Sequence, residues 1–347
     1  MARAQAIGVL PFIDCKETER IVRVLVTGVS GLIGSNVAAV AAQQSWDVLG
    51  CWCEEPVELE GVRTVGFDMA DRKACVEVTS EFEPDVVVHA AGGVALSRFE
   101  REPYIAQMDY VGAEHTLAAA RAVRARYVLV SCDWVYSGYR PAGVRFGEND
   151  LPDPVNAYGR SKLACEEATM RSNVPWLITR PGEVYGVNVS RPAHDRRRAR
   201  EPWERSGLAL WLMERLRART PLPAPTGVWR CPTYAWDYAQ RACELIAQGC
   251  EGVYNTAGPV ALGRCDWLEL LADACGCPRA LVRESTAAAY LHACGEDPRV
   301  KLPSNVALTD EKARAAIGVA AVAPERGVRL MCEQLRHMRV PARSPAR

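Results

Sequence analysis

Net charge is missing from this chain. Lys+Arg and Asp+Glu each total 42 among 347 residues, so the formal charge at pH 7 is zero. Proteins that grip nucleic acid or an anionic membrane surface carry a basic excess, and neither partner is expected here. Long apolar runs are missing too; none approaches the roughly 18 residues of a membrane span. Met1–Arg20 has no extended apolar core and contains Asp14, Lys16, Glu17 and Glu19, unlike a signal peptide. The expected location is the cytoplasm. Lysine is scarce, with five against thirty-seven arginines. Cysteine is plentiful at fourteen, but its close pairs, Cys51/Cys53 and Cys275/Cys277, are CxC and lack the spacing or nearby histidine pair of a zinc site. No metal is expected, and without a signal the cysteines read as reduced thiols.

What is present is an ordinary globular balance, 49% hydrophobic and 24% charged, in a length that suits one large domain or two modest ones. Ile21–Val26 is a short β-branched run, followed by the glycine-rich Thr27–Gly34 and an Ala/Val-rich helix pattern over Ser35–Gln44. Asp47–Trp52 is a second strand pattern, so the chain opens as a βαβ unit. Strand patterns then recur at Val62–Phe67, Asp85–Ala90, Arg126–Ser131 and Trp176–Thr179. They alternate with helix patterns at Arg72–Glu81, Ile105–Arg124 and Tyr158–Met170. This alternation predicts a parallel sheet covered on both faces. After Tyr185 the regularity breaks. Arg191–Arg200 carries five arginines and reads as a solvated loop, with phosphate binding as the sharper alternative, and Pro221–Pro225 cannot be helix interior. Helices are expected near Asp237–Gln248, Asp266–Cys275 and Arg326–Arg339, with a strand at Gly252–Asn255.

Gly28, Gly31 and Gly34 form GxxGxxG between a strand and a helix. Such glycines let backbone approach a pyrophosphate, and the helix start offers it free N–H groups. The candidate cofactor contacts in this turn are Gly28, Ser30, Gly31, Leu32, Ile33 and Gly34. About 24 residues on, where an acidic residue selects NAD and a basic one NADP, stands Trp52, followed by Glu54 and Glu55. No Lys or Arg is there, which leans the reading to NAD over NADP; the two glutamates read equally as solvated loop charges. Tyr158 and Lys162, four apart in a helix pattern, share a face. An ammonium beside a phenol lowers its pKa from near 10, which suits a general acid/base.

These motifs resemble the extended short-chain dehydrogenase/reductase family from Ile21 to about Arg339. Its segments are TGVSGLIG, DVVVHAAG (Asp85–Gly92), SCDWVYSG (Ser131–Gly138), ENDLPDPVNAYGRSK (Glu148–Lys162) and RPGEVYG (Arg180–Gly186). Within the family the chain is similar to dTDP-4-dehydrorhamnose reductase-like proteins, and in the same motifs to the beta regulatory subunit of methionine adenosyltransferase. The Arg230–Tyr234 segment with Asp237 resembles that subgroup as well.

The resemblance implies a doubly wound α/β Rossmann domain over 21–190, rejoined at about 229–256, with a smaller α/β substrate lobe from 191–228 and 257–340. Residues 1–20 would be an extension and 341–347 a flexible tail. Tyr158 would give a proton to a ketone oxygen, and Lys162 would bind the nicotinamide ribose and tune Tyr158. Asp68 and Met69 would touch adenine; Ala90, Ala91, Gly92, Ser131 and Pro181 would line the cofactor. The implied substrate is a nucleotide-activated sugar such as a 4-keto-6-deoxyhexose, with Trp134, Glu183 and Arg230 facing it, Arg230 as a phosphate ligand. Trp134 reads equally as core packing. A homodimer is implied as a possibility.

Two positions depart from the family. Cys132 stands where a Ser or Thr hydroxyl normally hydrogen-bonds the substrate carbonyl, and a thiol is a weak donor. Ser131 beside it points to the opposite face of a strand. Cys132 near Lys162 has a second reading as a lowered-pKa nucleophile. Asp109 replaces the usual Asn of the preceding helix. Two alternatives to an oxidoreductase follow: a sugar-nucleotide epimerase, and a non-catalytic dinucleotide-binding regulatory subunit. Dehydration is disfavoured because Trp134 stands where an Asp-Glu pair would need Glu. His89 reads as a core residue.

Overall fold

Strand β1 (Arg23–Thr27) organises the molecule because both of its faces are buried. Val24 and Val26 point to one side and Leu25 to the other, the period-2 alternation of a strand inside a covered sheet. It pairs in parallel with β2 (Asp47–Trp52) on one edge and with β4 (Val86–His89) on the other. With β3 (Arg63–Gly66), β5 (Arg126–Val130), β6 (Trp176–Arg180) and β7 (Gly252–Asn255), the sheet runs in the order β7-β6-β5-β4-β1-β2-β3, every pairing parallel. Chain order reverses between β1 and β4. In open α/β sheets the crevice outside the strand C-termini at such a reversal is where ligands bind. The computed structural model describes residues 21–93, 95–192 and 207–339. The 1–20 extension, the arginine run past Pro192 and the 341–347 tail lie outside the described residues.

Helices α1 (Leu32–Gln43), α2 (Arg72–Phe82), α3 (Leu96–Arg101), α4 (Pro103–Ala122), α5 (Ala157–Met170), α6 (Leu208–Arg217) and α7 (Ala235–Ala247) come in that order. They are followed by α8 (Arg264–Ala274), α9 (Ala287–Ala293), α10 (Glu311–Ile317) and α11 (Pro324–Arg339). Val37, Val40 and Ala41 of α1 and Tyr238, Ala242 and Leu245 of α7 close over Val24 and Val26. Phe82 of α2, Ala113 and Ala120 of α4 and Cys165 of α5 close over Leu25, Val87, Leu129 and Ile178. Local signals start these helices. Asp71 caps α2 by accepting from Lys73 N at 2.9 Å, and Asn156 caps α5 by accepting from Gly159 N at 2.9 Å.

A separate core joins Leu212, Met213 and Leu216 of α6 to Leu268 and Leu271 of α8 and Val328 and Met331 of α11. The proline-rich run enters it as a strand, Leu222–Pro225, paired in parallel with Val282–Ser285. A two-stranded edge tolerates prolines that a helix would not. Several elements differ from expectation. The long helix begins at Pro103, whose fixed φ suits a first helical position, and stops at Ala122. Helices α3, α6, α9 and α10 and the strand Val282–Ser285 were not expected; most are short and packed by distant segments, which leaves little local period to read. Among the described residues no helix is long and apolar enough to cross a membrane.

Candidate active site

The turn from β1 to α1 is held at its base. Gly28 N and Val29 N donate to the Cys51 carbonyl at the end of β2, at 2.9 and 3.2 Å. Gly28 sits at φ +73°, and a Cβ there would lie 2.7 Å from the Ala91 Cα, so the turn touches the Ala90–Gly92 loop directly. Gly31 begins α1 without any capping side chain. A Cβ at Gly31 would lie 3.2 Å from the Gly28 carbonyl, closer than ordinary contact, so the turn is tight at this position too. A helix start with no side-chain cap, and its positive dipole end, fit a pyrophosphate. The Ser30 carbonyl accepts from Asn188 Nδ2 at 2.8 Å, and Leu32 and Ile33 open the helix beside it. Gly34 nestles against the Gly28 carbonyl. At the end of β2 the Trp52 indole lies across Gly66, and Glu54 and Glu55 follow it. Asp68 is exposed and accepts from Ala70 N at 2.9 Å, while Met69 packs on Gly112. His89 is buried between Thr27 and Thr116, 3.2 and 3.1 Å from their hydroxyls; burial and then Lys162 push its pKa down to about 4. It is a core residue, as expected.

Tyr158 and Lys162 leave α5 on one face, with Lys162 Nζ 5.9 Å from the centre of the Tyr158 ring. Phe99 of α3 and Trp134 both meet that half-buried ring edge-on, at 5.3 and 5.9 Å between centroids. The ring also packs against the small buried cluster that holds Cys132. Lys162, however, is committed elsewhere. Its ammonium is 3.2 Å from each carboxylate oxygen of Asp109, on α4, and both groups are buried. The expectation that Lys162 acidifies Tyr158 is therefore corrected: burial first, then Cys132 and Asp109, hold the phenol well above its ordinary value.

The nucleophile reading of Cys132 is corrected as well. Burial, followed by Asp133, pushes its thiol up to about 12 against the opposing effect of Lys162. Ser131 does face away from Cys132, and its hydroxyl donates to Glu166 Oε1 at 2.5 Å. Glu166 also takes Arg180 through two nitrogens, at 2.8 and 2.5 Å, and Arg180 reaches the Tyr136 hydroxyl at 2.7 Å. This buried network engages the Ser131 side chain. Pro181, next after Arg180, is buried at the C-terminal end of β6.

The three residues expected to face substrate fare differently. Trp134 lies between the phenol and Arg230, whose guanidinium is 5.5 Å from the indole. Arg230 is not an open phosphate fork. It is buried and donates to the carbonyls of Trp229 and Pro303 at 2.7 Å and of Ser304 at 3.1 Å. Glu183 is engaged by Arg264 through both oxygens, at 2.7 and 2.5 Å. Between these lies Asp133, whose carboxyl burial pushes up to about 7 against the pull of Arg230. Sequence reasoning missed Phe99, Glu166, Arg180, Arg264 and Glu296 as site supports. Glu166, one turn past Lys162, had a periodicity signal; Arg264 and Glu296 had none. Among the described residues no group of three or more His, Cys, Asp or Glu could hold a metal.

The family model of the RmlD substrate binding domain matches residues 22–337. The chain belongs to that family. This RmlD-family chain is 32% identical to methionine adenosyltransferase 2 subunit beta of Rattus norvegicus over 166 residues, 47% of either protein. It thus spans about half the length of the first curated relatives it matches. It is 28% identical to the probable low-salt glycan biosynthesis reductase Agl14 of Haloferax volcanii over 265 residues, 76% of this chain and 83% of that protein. Its fold is that of dTDP-4-dehydrorhamnose reductase from Bacillus anthracis, crystallised with NADP, at a TM-score of 0.72 and 18% identity, covering 91% of this chain and all of that one. The UDP-glucose 4-epimerase of Thermus thermophilus, crystallised with NAD, aligns at 0.73 and 23% identity over 90% of this chain and 99% of that one.

Proposed function

We propose that this RmlD-family chain is an NAD(P)-dependent oxidoreductase acting on a carbonyl or hydroxyl of a nucleotide-activated sugar. One observation carries the reading: a phenol packed on the cluster of Cys132, with Lys162 Nζ 5.9 Å from its ring centre, stands at the C-terminal end of the sheet that also carries the tight glycine turn. A bound nicotinamide supplies or accepts a hydride. Gly28, Ser30, Gly31, Leu32, Ile33 and Gly34 would hold its pyrophosphate; Asp68 and Met69 would flank the adenine; Ala90–Gly92 and Pro181 would line the nicotinamide side. Tyr158 gives its O–H proton to the substrate oxygen in reduction and recovers it in oxidation. Phe99 and Trp134 exclude water from that phenol. Glu54 and Glu55, with no Lys or Arg between Trp52 and Val57, repel a 2′-phosphate and favour NAD over NADP. Solved relatives with this fold bind nicotinamide dinucleotides, which supports the cofactor.

The test is a steady-state assay over a panel of 4-keto and 4-hydroxy sugar nucleotides, with Tyr158→Phe beside the parent and NADH binding followed by fluorescence in both. Loss of about 10²–10⁴ in turnover with NADH binding kept is the expected result. A second reading, a dinucleotide-binding regulatory subunit, is favoured by the Asp109–Lys162 pair and the methionine adenosyltransferase similarity. Binding of NADH without turnover in either protein would select it.

A further inference from the structure

Three buried groups meet behind the Gly92 loop. Asp109 reaches in from α4, Lys162 and Ser161 from α5. Both carboxylate oxygens are 3.2 Å from Lys162 Nζ, and the Ser161 hydroxyl donates to Asp109 Oδ2 at 2.7 Å, fixing the carboxylate in that pose. The loop closes tightly on the pair. Gly92 sits at φ +153°, and a Cβ there would lie 2.5 Å from both Asp109 Oδ1 and Lys162 Nζ. Only glycine fits, so the ion pair is built into the loop's path.

We infer that Asp109 is a positioning residue that, by pairing with Lys162, keeps Tyr158 in its protonated, proton-donating form through neutral pH. The inference rests on the reading of Tyr158 as the acid of the reaction. Lys162 Nζ lies 5.9 Å from the centre of the phenol ring, and a carboxylate at contact distance cancels most of its field there. Burial works against the ammonium and Asp109 more than offsets it, so Lys162 stays charged yet paired. The other groups around the phenol do not restore a positive field. His89 on β4 is neutral near pH 7. Cys132 and Asp133, after β5, both raise the phenol's pKa. Cys165 and Glu166 lie on α5, and Glu166 is held by Arg180. Arg230 is spent on three carbonyls, and Glu100 of α3 caps α5 by accepting from Ala157 N, with Arg160 at 3.8 Å from it on the outer side.

The consequence is directional. Reduction, in which the Tyr158 O–H bond breaks as the substrate O–H bond forms, needs the phenol and runs unimpeded through neutral pH. Oxidation needs the phenolate, so its rate climbs with pH well into the alkaline range. Asp109→Asn leaves the shape and frees the ammonium, which brings the phenolate within reach.

The experiment reads Tyr158 directly and needs no substrate. Tyrosinate absorbance is titrated in the parent and in Asp109→Asn, each with and without Tyr158→Phe, and the Tyr158 step is taken by difference. In the parent the step is expected above pH 10, the ordinary tyrosine value. In Asp109→Asn it is expected about one unit or more lower, tenfold in phenolate at a given pH. A parent step below about pH 9, or an unchanged step in the variant, overturns the inference. If Asp109→Asn does not fold, Asp109→Ser is titrated in its place, and a parent step below about pH 9 still overturns the inference. Absence of turnover on every sugar nucleotide would count against the proposed activity and leave this titration standing as a separate result. Where turnover exists, the pH profile of oxidation shifts to lower pH by the same amount in the variant.

Discussion

A thiol stands where the family resemblance places a hydroxyl, and Cys132 is buried, protonated and in contact with the phenol. On the proposed reading, a thiol there, a weak donor, would stabilise a developing oxyanion poorly, and a missing donor of that kind costs about 10²-fold or more in turnover. Cys132→Ser is therefore expected to raise kcat on the best sugar nucleotide by about tenfold or more, measured by cofactor absorbance at saturating substrate. Abolished turnover would point to thiol chemistry instead. At this scale the sequence placed Tyr158 and Lys162 on one helix face, because spacing of four on one helix is a local relation. It could not show that Lys162 is already paired. Its partner comes from another helix, and contact between helices depends on how both pack against the sheet.

Helix α3 shows the same limit one level up. It has six residues, too few for a hydrophobic period, and its first turn is held by a carboxylate far along the chain. Glu296 accepts from Leu96 N at 3.1 Å and Ser97 N at 2.7 Å, and also takes the Ser97 hydroxyl. Nearby, Asn156 Nδ2 donates to the Lys301 carbonyl at 2.9 Å, tying the head of α5 to the same segment. Glu296 thus fixes the helix whose Phe99 abuts Tyr158. Glu296→Ala leaves buried donors without a partner, at about 1–3 kcal/mol. The expected outcome is that loss of stability in urea unfolding, together with a lower kcat at little changed cofactor KM. Glu296→Gln, which keeps one acceptor oxygen, should recover part of both; equal damage from the two variants would show that the hydrogen bonds do not position α3.

Across the whole molecule, burying Asp133 and His89 ties stability to pH with opposite signs. Asp133 titrates near 7 in the folded chain against an ordinary 3.8. Between those values the folded chain holds a proton that the unfolded chain has lost, so this group's contribution falls as pH rises. His89, lowered from 6.5 to about 4, stays neutral where the unfolded chain would charge, so its contribution is lost as pH falls through that window. Asp133→Asn cannot ionise and should escape the first penalty. Its Tm is expected to match the parent near pH 4 and to exceed it by several degrees at pH 7, by calorimetry at both. A difference that does not grow with pH would mean that Asp133 ionises freely in the folded state.

The alternation of apolar strands with helix patterns, the glycine turn and the Tyr–Lys spacing determined by themselves the parallel sheet, its position in the chain and the placement of Tyr158 and Lys162 on one face of α5. Each is a local regularity of period 2, 3 or 3.6, legible wherever the chain repeats it. The irregular part was decided by tertiary structure. Arg230 and Glu183 look like free ligands in the sequence. Folding brings the carbonyls of Pro303 and Ser304 to one and Arg264 to the other, since a buried charge persists only where distant partners meet it. The same demand placed Asp109 on Lys162. Charge compensation in a low-dielectric interior is settled by which side chains packing brings together, and no spacing along the chain encodes that.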